Sequence, residues 1–237
     1  MRSLFAILLC LAVHSPAFAL ATNLLYTGDA LTVAPGRVQA QASYGSTFGG
    51  PQRAAGAALT FGTAKRVDAR VGYGYLWSDV GPDVKLGPNI GVKWRVIGDG
   101  RREPSVAFST LCAINNGIDG RPHKSDFGGL LIVQYPTRPA VFLLNLGHAR
   151  VGDNGAPDIG YFGFAAVRKL TGRTLVALEY SKLDRIGGVV PQTDIEQISA
   201  GLVYIPTRAW AYGVQFSYLP LSRDTRFHLA LGVSAYL

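Results

Sequence analysis

The residues with the clearest chemical potential are few. His123-Lys124-Ser125 is the single His-x-Ser in the chain, and a Ser/His pair could serve a lipid hydrolase or deacylase. A serine nucleophile needs a base within about 3 Å that is itself held by a third group. This triplet is flanked by Gly120, Pro122 and Asp126 and reads as loop, a poor place for such geometry. His148 and His228 read as lumen or rim residues. Asp83, Asp119, Asp126 and Asp153 fall between apolar segments and could meet Ca²⁺. None has the ligand spacing of a calcium loop, so solvated loops are the stronger reading. No phosphate-cradling or dinucleotide signature is present: "GYGYLW" has no helix after it. These patterns call for no metal and no cofactor.

The charges carry more information. With 23 Lys+Arg against 15 Asp+Glu, the formal net charge is +8. Nucleic-acid binding would need those cations clustered on one surface. Instead Arg66, Arg101, Arg102, Arg138, Arg173 and Arg208 lie in short polar connections between apolar segments, where they can meet anionic lipid head groups. Arg37, Arg70, Lys93 and Arg95 alternate with apolar neighbours inside segments, and Gln134, Glu179 and Gln215 do the same. Rings of Arg and Lys favour anions in pores. The competing reading is that Asp68 and Glu179 pair with the cations and fill the interior.

The segments that must position these groups alternate with period two. In "VDARVGYGYLW" Val67, Ala69, Val71, Tyr73, Tyr75 and Trp77 share one face, opposite Asp68, Arg70 and two glycines. Side chains of a strand alternate between faces, so one face here is wholly apolar and turns aromatic at one end. The same pattern holds in "RVQAQASYG", "NIGVKWRV", "ISAGLVY", "WAYGVQFSYL" and the closing "FHLALGVSAYL", whereas "GYFGFAAVRKL" can be phased either way. The 29 Gly and 13 Pro are spread through the apolar stretches and argue against helices. No sustained i, i+3, i+4 stripe appears.

About twelve strands follow, starting near residues 37, 54, 67, 88, 105, 126, 140, 159, 174, 195, 209 and 226. Long and short connections alternate, as in an all-β, antiparallel up-and-down transmembrane barrel. A soluble lipocalin-like barrel gives the same alternation turned inside out. Three features favour the membrane. The polar phase carries long charged groups. Aromatic residues collect at the ends of the apolar phase: Tyr75, Trp77, Tyr218 and Phe227 at one rim, Tyr204 and Trp210 at the other. The last strand runs to the chain end on the apolar phase, which only a closed barrel can present to lipid.

The chain opens with one Arg, an apolar run from Leu4 to Val13 and a small-residue site ending Ala17-Phe18-Ala19. That layout predicts a signal peptide over 1–19, with Ala19-Leu20-Ala21 as a second site. The run is too short to span a bilayer. Leu9 before Cys10 argues against a lipoprotein. Cleavage would leave Cys112 alone, so no intrachain disulfide is available, and the formal net charge would be about +7. A short segment 20–36 then precedes the barrel, 37–237.

From about Phe61 onward the chain resembles the outer-membrane family labelled "meta-pathway of phenol degradation", a group assigned to transport. The resemblance lies in "GTAKRVDARVGYGYLW", "LGPNIGVKWRVIGDGRREPSVAFSTLCAINNG", "LLNLGHARVG", "LEYSKLD" and the closing hairpin. Two departures stand out: "NNGID" lacks the Pro and Thr usual before that Gly, and the chain ends in Leu237 rather than Phe. The resemblance implies a transporter without catalytic residues.

The expectation is therefore an outer-membrane channel, exported through the periplasm, for small anionic or aromatic solutes. Its lumen would be lined by Arg37, Arg70, Lys93, Arg95, Gln134, Glu179 and Gln215, with loops 115–125 and 185–194 as partial gates. Its partners would be outer-membrane lipid, the solute, and the barrel-assembly machinery acting on strand 227–237; nucleic acid is not expected. A plugged structural barrel and a lipid-modifying enzyme are the alternatives.

Overall fold

The computed structural model describes residues 30–47, 52–78, 84–99, 101–114, 125–150, 158–186, 195–220 and 227–237. The segment 1–29, which holds the expected signal peptide, lies outside them, as do most of both expected gate loops and His123, Asp83, Asp119 and Asp153.

Twelve strands run in order: β1 (Val38–Thr47), β2 (Gln52–Ala64), β3 (Val67–Ser78), β4 (Val84–Ile97), β5 (Ser105–Ala113), β6 (Asp126–Pro136), β7 (Val141–Arg150), β8 (Asp158–Lys169), β9 (Thr174–Ile186), β10 (Ile195–Tyr204), β11 (Trp210–Tyr218) and β12 (Phe227–Tyr236). Each pairs antiparallel with its chain neighbours, and β1 pairs with β12 to close the ring. The seam extends to the last residue: the Leu237 N–H donates to the Val38 carbonyl at 2.9 Å, and the Val38 N–H to that of Leu237 at 3.3 Å. Closure leaves no strand edge, which is the condition for standing in lipid.

The outer face carries the apolar phase of every strand. On β11 Trp210, Tyr212, Val214 and Phe216 are exposed while Ala211, Gln215 and Ser217 are buried. The eight steps from Trp210 to Tyr218 span roughly 20 Å at about 3.3 Å per residue and 40° of tilt, close to a hydrocarbon band. At the loop end Tyr75 and Trp77 lie 5.0 Å apart, and Phe227 contacts both Phe216 and Tyr218 at 5.4 Å. At the other end Trp210 stacks on Tyr212 at 6.3 Å. Trp94 and Tyr135, both more than half exposed, extend that second collar beyond the expected Tyr204 and Trp210. The ambiguous β8 is now phased: Phe162 and Phe164 point out, Ile159, Ala165 and Val167 in.

Both ends of the barrel proper, Val38 and Leu237, share one rim with five connections whose described residues are 65–66, 98–99 with 101–104, 137–140, 170–173 and 205–209. Local chemistry accounts for their tightness. Arg66 takes a left-handed φ of 73° in the two-residue turn, beside a bulge at Gly62/Ala64. In the turn after β4, Asp99 Oδ1 accepts the N–H groups of Arg101 (2.7 Å), Arg102 (2.8 Å) and Glu103 (3.2 Å). Those donors, that of Arg102 foremost, hold the Asp99 carboxyl down at about 2.

The sign follows from linkage. A carboxyl depressed on folding stabilises its turn above its ordinary pKa, 3.8, and loses that contribution as pH falls toward about 2. Amide exchange at residues 101–103 should therefore accelerate over that window. It should be fast and pH-flat across the same window, after correction for intrinsic exchange, in Asp99→Ala.

Candidate functional site

The interior is divided into two walls. From β10 through β12 and β1 to β4 the buried inward residues are mostly polar, such as Gln197, Ser199, Gln215, Gln41, Arg70 and Lys93, with smaller apolar ones such as Ala54, Ala58 and Ala211 between them. From β5 to β9 they are mostly apolar. Leu143, Ala165, Val167 and Ala177 form one cluster, and Ala107 and Ile132 another. Ser105, Ser109, Asp126, Gln134, Asn145, Glu179 and Ser181 are the buried polar exceptions on that side.

The register places charges across the lumen from one another. In a ring of twelve, β3 and β9 are six strands apart in either direction. Followed from Arg70 through Gly91, Leu111, Gly128, Ala149 and Ile159, the hydrogen-bonded row reaches Arg185 near the far end of β9. Followed the other way, through Thr60, Gln39 and Tyr236, it drops into the turn 205–209, below the start of β9. Tilted strands make such a row climb around a barrel, so the residue level with Arg70 lies midway. That is the neighbourhood of Glu179. The Glu179 carboxylate accepts from Gln215 Nε2 at 3.4 Å, and Gln197, Ser199 and Ser217 interlink at 2.8–3.0 Å beyond it. On the opposite wall Lys93 lies 3.7 Å from Asp68. The middle of the barrel thus has a cationic wall facing an acid-and-amide wall.

A second element enters the interior. Pro35-Gly36, with Gly36 at φ 76° and the Arg37 N–H donating to the Ala34 carbonyl at 3.0 Å, makes a type II turn ahead of β1. Residues 30–34 beyond it run inside the turn end of the barrel. The Val33 N–H donates to Asp68 Oδ1 at 2.8 Å on β3, and the buried Ala30 N–H to Gln134 Oε1 at 3.0 Å on β6. Ala30 packs with Ala107 and Ile132. A buried extended segment has no ladder of its own, so its N–H groups need side-chain acceptors. Asp68 and Gln134 supply two. This inner strap passes so close to β2 that a Cβ on Gly62 would collide with the Ala34 carbonyl oxygen.

Of the expected lumen residues, Arg70, Lys93, Gln134, Glu179 and Gln215 are buried and inward-facing. Arg37 and Arg95 differ. Arg37 has the inward phase but lies before the first residue of β1 and is exposed. Arg95 is half-buried near the turn end, where its Nη1 donates to the Asp99 carbonyl at 2.9 Å. Asp126 is the first residue of β6, buried, rather than a loop residue. His148 is at the outer rim, 3.6 Å from Asp158, while His228 points inward over Gly45. Ser125 is exposed just before β6. Among the described residues no group of three His, Cys, Asp or Glu is placed to hold a metal. Reasoning from sequence missed the strap, the apolar wall and Asn89; Asn89 and Asn145 are both fully buried with no protein partner for their amides.

No family model and no curated protein matches the chain. Its fold does have close parallels among solved structures. The NanC porin aligns with a TM-score of 0.65 at 13% identity, over 84% of this chain and 100% of that one. The fold is that of the outer-membrane porin barrels. The KdgM porin, solved in complex with disordered oligogalacturonate, aligns at 0.61 and 8% identity over 84% and 98% of the two chains. An outer-membrane channel from Pseudomonas putida F1 aligns at 0.61 and 9% over 89% and 98%.

The strap's dependence on Gly62 is testable. Gly62→Val should lower the urea midpoint of the refolded barrel, by an equivalent of about 1–3 kcal/mol for overpacking. Gly129→Val, at a lipid-facing glycine with nothing within 4 Å, should leave it nearly unchanged.

Proposed function

We propose that this chain is a narrow outer-membrane channel for small solutes, anionic or aromatic, moving by passive diffusion. The observation that carries this reading is the opposition of Arg70 and Lys93 on β3–β4 to Glu179 and Gln215 on β9 and β11, at one level of a closed barrel. Such walls orient a dipolar or anionic solute, and the cationic side tips the selectivity toward anions. The apolar wall opposite most of the polar ladder suits an aromatic or aliphatic body. Asn89 and Asn145 support passage as well. A buried amide without a partner costs about 1–3 kcal/mol, and a hydrated or solute-filled path would relieve it. The porin fold of the structural relatives is consistent with conduction.

The second reading, a plugged barrel with a structural role, is favoured by the strap 30–34 and by near-zero exposure of Gln39, Asn145 and Gln215. Twelve strands fall between barrels filled by their side chains and those with a wide aqueous pore.

Bilayer conductance separates the two. In a KCl gradient the refolded protein should conduct with a reversal potential on the anion side, and Arg70→Glu should move that potential toward cation preference. Silence from protein shown to be folded and inserted would leave the plugged barrel.

A further inference from the structure

The cations outside the lumen are not scattered. Each of the five described turns carries at least one arginine: Arg66, Arg101, Arg138, Arg173 and Arg208, with Arg37 at the sixth position beside the seam. Because turns join alternate strand gaps, these side chains are distributed around the whole circumference of one rim. Lys65, Arg102, Arg168 and Lys169 strengthen the same rim. All but Arg66 are exposed. Among the described residues no carboxylate lies within salt-bridge distance of any of these ten.

Acid is scarce there. Asp99 and Glu103 are the carboxylates of the described turns, and Asp99 is occupied by the N–H groups of its own turn. The opposite rim is mixed, with Asp158, Asp184 and Glu196 beside Lys182 and Arg150. Among the described residues the asymmetry therefore belongs to one end of the barrel.

The depth of the ring is marked by its aromatic neighbours. Trp94 pairs in register with Val67, next to Arg66; Tyr135 precedes Arg138 by three residues; Tyr204 and Trp210 flank Arg208. All four rings are exposed on the lipid face. Trp and Tyr settle at the membrane–water interface, so the guanidinium groups just beyond them lie at head-group level. Attraction of a basic ring to an anionic leaflet adds with the number of cations and decays within a Debye length.

We infer that the turn end is a binding surface for anionic glycerophospholipid head groups of the leaflet it faces, the periplasmic leaflet if the barrel stands as proposed above. Arg138, Arg173 and Arg208 are its test positions, being exposed, widely separated and outside the lumen. The inference does not require conduction, so a silent barrel would leave it standing.

The test compares heat-unfolding midpoints of the refolded full chain in phosphatidylcholine vesicles with and without phosphatidylglycerol. At low salt the wild-type midpoint should rise by about 5 °C with the anionic lipid. The rise should vanish in high salt and be lost in R138E/R173E/R208E. If that variant does not refold, R138Q/R173Q/R208Q should retain less than half of the rise. An equal rise in wild type and the glutamine variant would overturn the inference. So would a wild type that shows no rise yet binds a soluble polyanion in neutral micelles, which would assign the ring to a periplasmic partner.

Discussion

Closure of the backbone ladder is the constraint on which the rest of the structure depends. In hydrocarbon an unpaired N–H or C=O has no water to turn to, so a sheet that enters lipid must end on itself. Here that requirement reaches the last residue, because Leu237 and Val38 complete the seam between β12 and β1. Once the ring is closed with tilted strands, the placement of every side chain is set. The alternation decides what faces lipid, and the climb of the hydrogen-bonded rows decides what faces what across the lumen. Arg70 and Glu179 share no local signal, yet closure puts them on opposite walls at one level.

The strap obeys the same rule under different circumstances. Residues 30–34 are inside the barrel but outside its ladder, and they depend on acceptors that the wall provides. Asp68 serves both the Val33 N–H and, at 3.7 Å, the Lys93 ammonium. The wall's polar groups are therefore not only a path for solute. Part of the interior charge is committed to holding the strap, which ties the width of the turn end to the ion pairing of β3 and β4.

Much of the fold was legible because the strand ends are marked by polar turns and the outer faces are uniformly apolar. Expected starts at 67, 105, 126, 174 and 195 coincide with the observed ones, and the others differ by at most four residues. Legibility of the interior varied with the wall. In β1, β3 and β11 polar or small residues that alternate with large apolar ones set the phase. In β6 to β8 both faces are apolar, as with Ile132 inside and Leu131 outside, so period two fades and the inner apolar wall goes unseen. The strap left no trace because its bonds to the wall use backbone N–H groups, which every residue but proline has. Arg37 and Arg95 show a further limit: phase can be read from sequence, but the height at which a barrel begins cannot.

The most direct test of a barrel standing in lipid with these faces outward uses its own tryptophans. Trp77, Trp94 and Trp210 are the three in the chain, and all lie on the outer face near one rim or the other. In vesicles containing brominated lipids their fluorescence should be strongly quenched. Bromines close to the glycerol backbone should quench more than bromines at the chain ends, and aqueous iodide should have little effect. Strong iodide quenching together with indifference to brominated lipid would contradict the account, because it would place the aromatic collars in water.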